Sequence, residues 1–357
     1  VIDLERLDAY LDEALSTDLR VLRAPAGAKG APAPPAPGPP PAPVAPLPAP
    51  TVRRSRRPAV VAPVPDGPPP RVAPADAWEH LDAEAHGRRL LSVLAGGRLA
   101  EADVHLAAHA ELVAAGGDLR PRRDAAVWAV MRAMLGGSPS QARAGLDVLQ
   151  SLNRQAGDPD GDDAYWVQRL RLALEWGDED ERYLVLDHCR HRAWVFGDAA
   201  WQGRLTLLLA VLGRTEEARR ELEQATPACA ARGVQGATGI DVATDLAEAA
   251  ALLGDTSSGA QILEALEKAP DCVVVCGRGW IVKGDIARFR ALAAQAAGQE
   301  AQADASFRAA SEAHRRMGAD YLVARTLGDW GRMLGERDPL RSAHLLRDAA
   351  SILAALA

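Results

Sequence analysis

Leu212-Gly213-Arg214-Thr215-Glu216-Glu217-Ala218-Arg219-Arg220-Glu221-Leu222 joins two helical stretches and sets the pattern for most of the chain. Upstream of it, Trp201, Leu205, Leu208, Leu209 and Leu212 fall at i, i+4, i+7, i+8 and i+11, the apolar stripe of one helix face. Gly213 ends that helix, because a glycine alone takes a left-handed turn without strain. Ala218, five residues on, is small enough to let the next helix approach closely. Leu222, nine residues on, fills the seam between the two.

Six more glycines carry the same sequel: Gly97, Gly137, Gly177, Gly254, Gly298 and Gly335. Successive glycines lie 36 to 44 residues apart. The residues at the fifth position after them are Ala102, Ala142, Arg182, Gly259, Ala303 and Leu340. At the ninth position stand Leu106, Leu146, Leu186, Leu263, Phe307 and His344. Alanine is so common here that the first column alone would say little; the two together at quasi-regular spacing specify a helical hairpin repeat. Val323, Leu327, Trp330 and Leu334 repeat the stripe, and Ser138-Pro139-Ser140-Gln141 and Asp338-Pro339 read as cap-then-proline helix starts. The expected fold is therefore all-α: about seven hairpins and fourteen helices over residues 76–357, wound as a tetratricopeptide-like superhelical solenoid whose first helices line the concave side. One stretch breaks the rule. Cys272-Val273-Val274-Val275-Cys276-Gly277-Arg278-Gly279-Trp280 is β-branched and glycine-bounded, so it reads as extended, running over the solenoid between the fifth and sixth hairpins.

Ahead of the repeats the composition changes twice. Residues 1–23 read as a short amphipathic helix, with Leu4, Leu7, Leu11 and Leu15 on one face. Residues 24–75 hold 19 of the 25 prolines and read as a disordered linker rich in proline and alanine. The net charge of −7 is an average: the first segment has 3 basic and 6 acidic groups, the linker 6 and 1, and the remainder 32 and 41. Arg53-Arg54-Ser55-Arg56-Arg57 concentrates the linker's charge; it could contact phosphate or an acidic partner, but without an interleaved aromatic to stack on bases it reads rather as a solvated run. An acidic body argues against coating nucleic acid or an anionic membrane, and no apolar run approaches the ~18 residues of a spanning helix. Four cysteines, Cys189, Cys229, Cys272 and Cys276, make no disulfide scaffold. With no signal peptide visible, the expected location is the cytoplasm. Val1 in place of Met is read as a GTG start or a fragment boundary.

Candidate chemistry is sparse. Glu101, His105 and His109 form an i, i+4, i+8 stripe that could offer zinc ligands, but its position beside Leu106 fits helix packing better. No nucleophile elbow and no phosphate loop of the GxxxxGK[ST] kind is present, so no enzyme activity, cofactor or metal is expected. Peptide binding in the concave groove is the live functional reading. Only three of 41 basic residues are lysine and only one residue is asparagine, which removes the lysine–asparagine carboxylate clamp. Arginines on the first helices could replace it, since a guanidinium fork suits carboxylates. Arg169, Arg204, Arg288 and Arg325 are the candidates, with Arg278 and Trp280 from the extended run.

The order of motifs from Gly97 to Leu334 resembles the C-terminal tetratricopeptide-like region of the STAND-class regulatory ATPases of actinobacteria. These occur in large LuxR-type regulators and beside adenylate cyclase domains. The residues that carry the likeness begin with Ala125-Ala126-Val127-Trp128-Ala129-Val130-Met131-Arg132-Ala133 and Leu212-Gly213-Arg214-Thr215-Glu216-Glu217-Ala218-Arg219. The run from Val273 to Gly279 follows, then Phe307-Arg308-Ala309-Ala310, Arg316-Met317-Gly318-Ala319 and Ala324-Arg325-Thr326. The resemblance implies a sensor or scaffold arm in a bacterial regulatory system. Its alternative form is the C-terminal fragment of such a regulator, lacking the ATPase and output domains. Since the phosphate loop is missing and no separate helix-turn-helix is visible, ATP hydrolysis and DNA binding do not carry over.

Overall fold

The computed structural model describes residues 81–356 apart from 117, 158, 233, 235 and 336. They belong to one unit that runs from Pro58 to Ala357. The short helix read over 1–23 and the linker over 24–75 lie outside the described residues.

The described chain is all-helical apart from one two-stranded sheet. Its elements are α1 (Ala83–Ala95), α2 (Leu99–Ala115), α3 (Leu119–Leu135), α4 (Pro139–Ala156), α5 (Pro159–Trp176), α6 (Glu179–Arg190), α7 (Ala199–Val211), α8 (Thr215–Arg232), α9 (Gly236–Leu253) and α10 (Thr256–Glu267). Then come β1 (Val273–Cys276), β2 (Ile281–Asp285), α11 (Ile286–Ala296), α12 (Glu300–Met317), α13 (Asp320–Leu334) and α14 (Pro339–Leu356). A π-helical turn, His191–Val195, extends α6. Each odd-numbered helix packs against the even-numbered helix that follows it, and each hairpin packs against the next.

The glycine columns have a common cause. Gly97, Gly137, Gly213, Gly254 and Gly298 all have φ between +61° and +73°. The residue after each donates its N–H to a carbonyl five positions back: Arg98 to Val93, Ser138 to Ala133, Arg214 to Leu209, Asp255 to Ala250 and Gln299 to Ala294. One helix-terminating turn is thus reused five times. The small residues that follow, Ala102, Ala142, Ala218 and Ala303, are buried, as are Leu146, Leu186, Leu222, Leu263 and Phe307. Gly177 departs from this set: a Cβ there would lie 2.6 Å from the Ala173 backbone, so contact rather than φ demands glycine. The last hairpin departs too. Leu340 and His344 are exposed, because α14 begins four residues after Gly335 whereas the other even-numbered helices begin two after their glycine. The two-residue delay moves the packing positions to Ser342 and Leu346, whose side chains lie against Gly331.

Aspartates start many of the helices. Asp82, Asp178, Asp198, Asp255 and Asp285 each accept a hydrogen bond from a backbone N–H of the first turn. Asp338 caps α14 in the same way, through Arg341 N–H at 3.2 Å. Ser138 does not act as the expected cap: its side chain makes no capping bond, while its backbone N–H closes the preceding helix on Ala133.

The extended run takes a different place from the one its sequence suggests. β1 and β2 pair antiparallel, Val273 opposite Asp285 and Cys276 opposite Ile281, with a bulge between Val274 and Val275. This hairpin does not run over the helices; it packs among them, against α1, α3, α9, α11 and α12. Val273, Val274, Cys276, Ile281, Val282 and Lys283 are all buried. β-branched side chains on both faces of a strand must be covered on both faces, and only an interior position does that. One apolar cluster joins Leu90 and Leu94 of α1 with Val273 and Val282 of the hairpin and with Tyr321 and Leu322 of α13. The helices therefore close on themselves around the hairpin: the Cβ position of Gly97 faces Met317 and Val273, and that of Gly137 faces Leu356 and Tyr321.

Candidate functional site

The odd-numbered helices supply the polar groups that meet the hairpin. Lys283 of β2 is 3% exposed and points its Nζ between two carboxylates of α9, Asp241 Oδ1 at 2.7 Å and Asp245 Oδ1 at 2.6 Å. It also donates to Thr244 Oγ1 and to the Asp241 carbonyl. Arg204 of α7 donates to Asp241 Oδ2 at 2.6 Å and to the Cys276 Sγ of β1 at 3.2 Å. Two cations meet two anions, so the group is neutral as a whole. Burial pushes the Asp241 carboxyl up, but Lys283 and Arg204 outweigh it and hold the group down at about 2. Burial and the Asp241 charge push Asp245 the other way, above the usual carboxylate range. The Cys276 thiol is pushed up to about 12 by burial and by Asp241.

A second network lies beside the first. Arg171 pairs with Glu175 at 2.7 Å and with Glu248 at 3.3 Å. Arg288 reaches Glu248 at 3.0 Å and Asp329 at 2.5 Å, and Arg325 reaches Glu175 at 2.6 Å. Tyr321 donates its hydroxyl to Glu175 at 2.7 Å. Three arginines face three carboxylates drawn from α5, α9, α11 and α13, so this network is also neutral. Burial opposes the charge on Glu248, and Arg171, Arg288 and Arg325 overcome it, holding the carboxyl well below its usual range. Between α3, α5, β2 and α13 a cavity of about 20 Å³ is left, room for a single water.

Of the residues expected to bind a partner, Arg204 and Arg288 are therefore buried and committed to ion pairs inside the chain. Arg325 is also engaged, with Glu175 and Glu248. Their carboxylate partners sit on other helices, Asp241 and Glu248 on α9 and Glu175 on α5. Arg169 is half-buried, bonded to the Tyr165 hydroxyl and lying 5.7 Å from the Trp166 ring. Arg278 stands exposed at the hairpin tip, 3.9 Å from Asp124. The tip is fixed by Trp128 Nε1–H to the Arg278 carbonyl at 2.9 Å and by Gln168 Nε2–H to the Trp280 carbonyl at 2.7 Å.

The histidine stripe lies inside the first hairpin. His105 Nδ1 is 3.0 Å from His86 Nδ1, His109 packs edge-on to Trp128, and Glu101 pairs with Arg98 at 2.5 Å. Among the described residues no group of three or more His, Cys, Asp or Glu side chains is placed to hold a metal ion. No helix there is long and apolar enough to cross a membrane. All four thiols are free and buried.

The outer surface carries an open groove of about 1040 Å³ between α2, α3 and α4. Ala107, Ala110 and Ala129 line it with exposed methyl groups, beside Ser140 and Gln141 of α4. Its charged element is the half-exposed pair of Arg132 Nε with Asp103 Oδ1 at 2.6 Å. Nothing in the hairpin columns distinguishes this place, because alanine recurs throughout the chain.

No family model, no curated protein and no solved structure matches this chain.

Proposed function

We propose that this chain is a non-enzymatic, tetratricopeptide-like solenoid that serves as a protein- or peptide-binding scaffold or sensor arm in a bacterial regulatory system. The sequential packing of hairpin upon hairpin, with one glycine turn reused, supports the repeat architecture. The observation that carries the reading is the open groove between α2, α3 and α4. It is open, lined in part by small side chains that admit a close approach, and edged by the half-exposed Arg132–Asp103 pair, which is able to exchange partners. Such a surface suits a peptide or helix better than a small substrate, which needs an enclosing pocket.

On this reading the partner sits on the outer face. The inner face is filled by the chain's own hairpin, so a partner seated on Arg204, Arg288 and Arg325 would have to displace both the hairpin and their carboxylates. Of the other three candidates, Arg278 is exposed at the hairpin tip and offers a secondary contact, whereas Arg169 is bonded to Tyr165 and the half-buried Trp280 ring packs against the apolar core. A cytoplasmic setting belongs to the same proposal, in keeping with four free thiols.

The test is photo-crosslinking from full-length protein in its host cell, with the crosslinker at Ala129 or, as control, at the exposed Leu340. The reading expects one discrete adduct from position 129 alone, abolished by Ala110→Arg. Equal adducts from both positions, or none from position 129, would defeat it.

A further inference from the structure

We propose that two copies of this chain pair about a two-fold axis through the exposed stripe on α6 and the π-helical turn. Tyr183, Leu184, Trp194, Val195 and Phe196 are 43%, 56%, 55%, 67% and 63% exposed. Elsewhere among the described residues large exposed apolar side chains stand singly, as Leu112, Val148, Leu252 and Leu340 do. Tyr183 and Leu184 stand on α6 one turn before the exposed Asp187, and Trp194, Val195 and Phe196 follow at the end of the π-helical turn that extends it.

Trp194 and Phe196 are held in place before any partner arrives. Trp194 Nε1–H donates to Glu221 at 3.0 Å, and the Arg190 guanidinium lies 5.5 Å from the Trp194 ring. Arg192 lies 5.5 Å from the Phe196 ring, and His191 meets that ring edge-on at 5.1 Å. Anchors fixed in this way lose little conformational freedom on binding. The arginines are themselves neutralised, Arg190 by Glu217 at 3.0 Å and Arg192 by Asp163 at 3.0 Å. The stripe also carries two exposed polar side chains, Asp187, which has no ion-pair partner among the described residues, and His191 one turn further on.

That pattern identifies the occupant, because it is self-complementary. An antiparallel pairing centred at the level of residue 189 sets Asp187 of one copy against His191 of the other. The same centre sets Tyr183 against Val195 and Leu184 against Trp194. A two-fold interface requires each such contact to occur twice with its members exchanged, and all three pairs share one midpoint. The size agrees. At these exposures, with about 150–250 Å² for a whole aromatic side chain, the five side chains offer on the order of 500 Å² per copy. A standard homodimer interface of about 800 Å² per partner, about 65% apolar, needs roughly 520 Å².

Sedimentation equilibrium of the full chain, from about 1 to 100 μM, tests the proposal. The wild type should run as a concentration-dependent dimer. Leu184→Asp and Trp194→Asp, both at exposed positions, should each weaken dimerisation by about 30-fold or more with the helical circular dichroism unchanged. Asp187→Arg and His191→Asp should each weaken it by about tenfold, and the double variant, which swaps the pair, should restore it. A monomer throughout the range overturns the proposal, as does a dimer indifferent to Leu184→Asp and Trp194→Asp, or a charge swap without rescue. Co-sedimentation of a monomeric chain with vesicles of phosphatidylglycerol and phosphatidylcholine, lost on Trp194→Asp, would assign the stripe to a membrane surface instead.

Discussion

Lys283→Met isolates the contribution of the polar group that anchors the inner hairpin. In the wild type the Lys283 ammonium is shared by Asp241 and Asp245, each side chain being 6% exposed or less. Asp241 keeps Arg204 at 2.6 Å after the substitution, whereas Asp245 loses its direct cationic partner and stays buried. Removing one member of a buried pair costs about 3–5 kcal/mol, because the other is left charged out of water. Against a total of about 5–15 kcal/mol, that is a large fraction. For a domain of this size it corresponds to a fall in Tm of roughly 10 °C, at about 2–4 °C per kcal/mol. The assay is thermal and urea unfolding followed by circular dichroism at neutral pH. Adding Asp245→Asn should recover most of the loss, since it removes the stranded charge. The deficit of the single variant should also shrink towards pH 5, because Asp245, already pushed towards its neutral form, can then take up a proton. If Lys283→Met costs less than about 1 kcal/mol, or Asp245→Asn fails to rescue it, the anchoring argument is refuted.

Three further outcomes follow from the same geometry. His314 accepts from the Asp285 N–H at 2.8 Å, and burial, with Arg288 and Arg325 nearby, holds its pKa down to about 3. The folded state therefore binds fewer protons than the unfolded one between pH 3 and the ordinary histidine value of about 6.5. Stability is complete above that window and falls by about 2 kcal/mol by pH 5; denaturation across the range should show this slope, and His314→Gln should flatten it. Gly213→Ala meets no neighbour within 4 Å, while a Cβ at Gly97 lies 3.1 Å from Met317 and 3.2 Å from Val273. Both pay about 1 kcal/mol for left-handed φ, so Gly97→Ala should destabilise the protein more, by thermal melting. Finally, with all four thiols buried and Cys189 and Cys276 pushed up to about 12, Ellman's reagent should titrate no thiol rapidly in native protein and four in denaturant.

The helices were legible because their signals are local. A glycine fixed at each turn, a small residue five on and an apolar residue nine on describe one hairpin at a time, and the last hairpin was misaligned only where its second helix starts late. The extended character of residues 273–276 was equally local. Its interior position was not, because it depends on α1, α3 and α9 being brought together from distant parts of the chain. The same separation hid the candidate sites. Arg288 and Glu248 are 40 residues apart and Arg325 and Glu248 are 77 apart, so an arginine that looked available for a ligand carboxylate already had one within the fold. Lys283 was visible as one of three lysines, but its two aspartates sit on another helix. The groove lined by Ala107, Ala110 and Ala129 could not be read at all, since it is defined by side chains too small to leave a pattern.

Hydrogen–deuterium exchange of the hairpin amides tests most directly whether the inner face is permanently filled. The account predicts that the β1 and β2 ladder amides exchange as slowly as the core of α9 and α11, opening only with global unfolding. Rapid exchange of the hairpin while those helices stay protected would contradict it, and would return Arg204, Arg288 and Arg325 to the partner-binding surface.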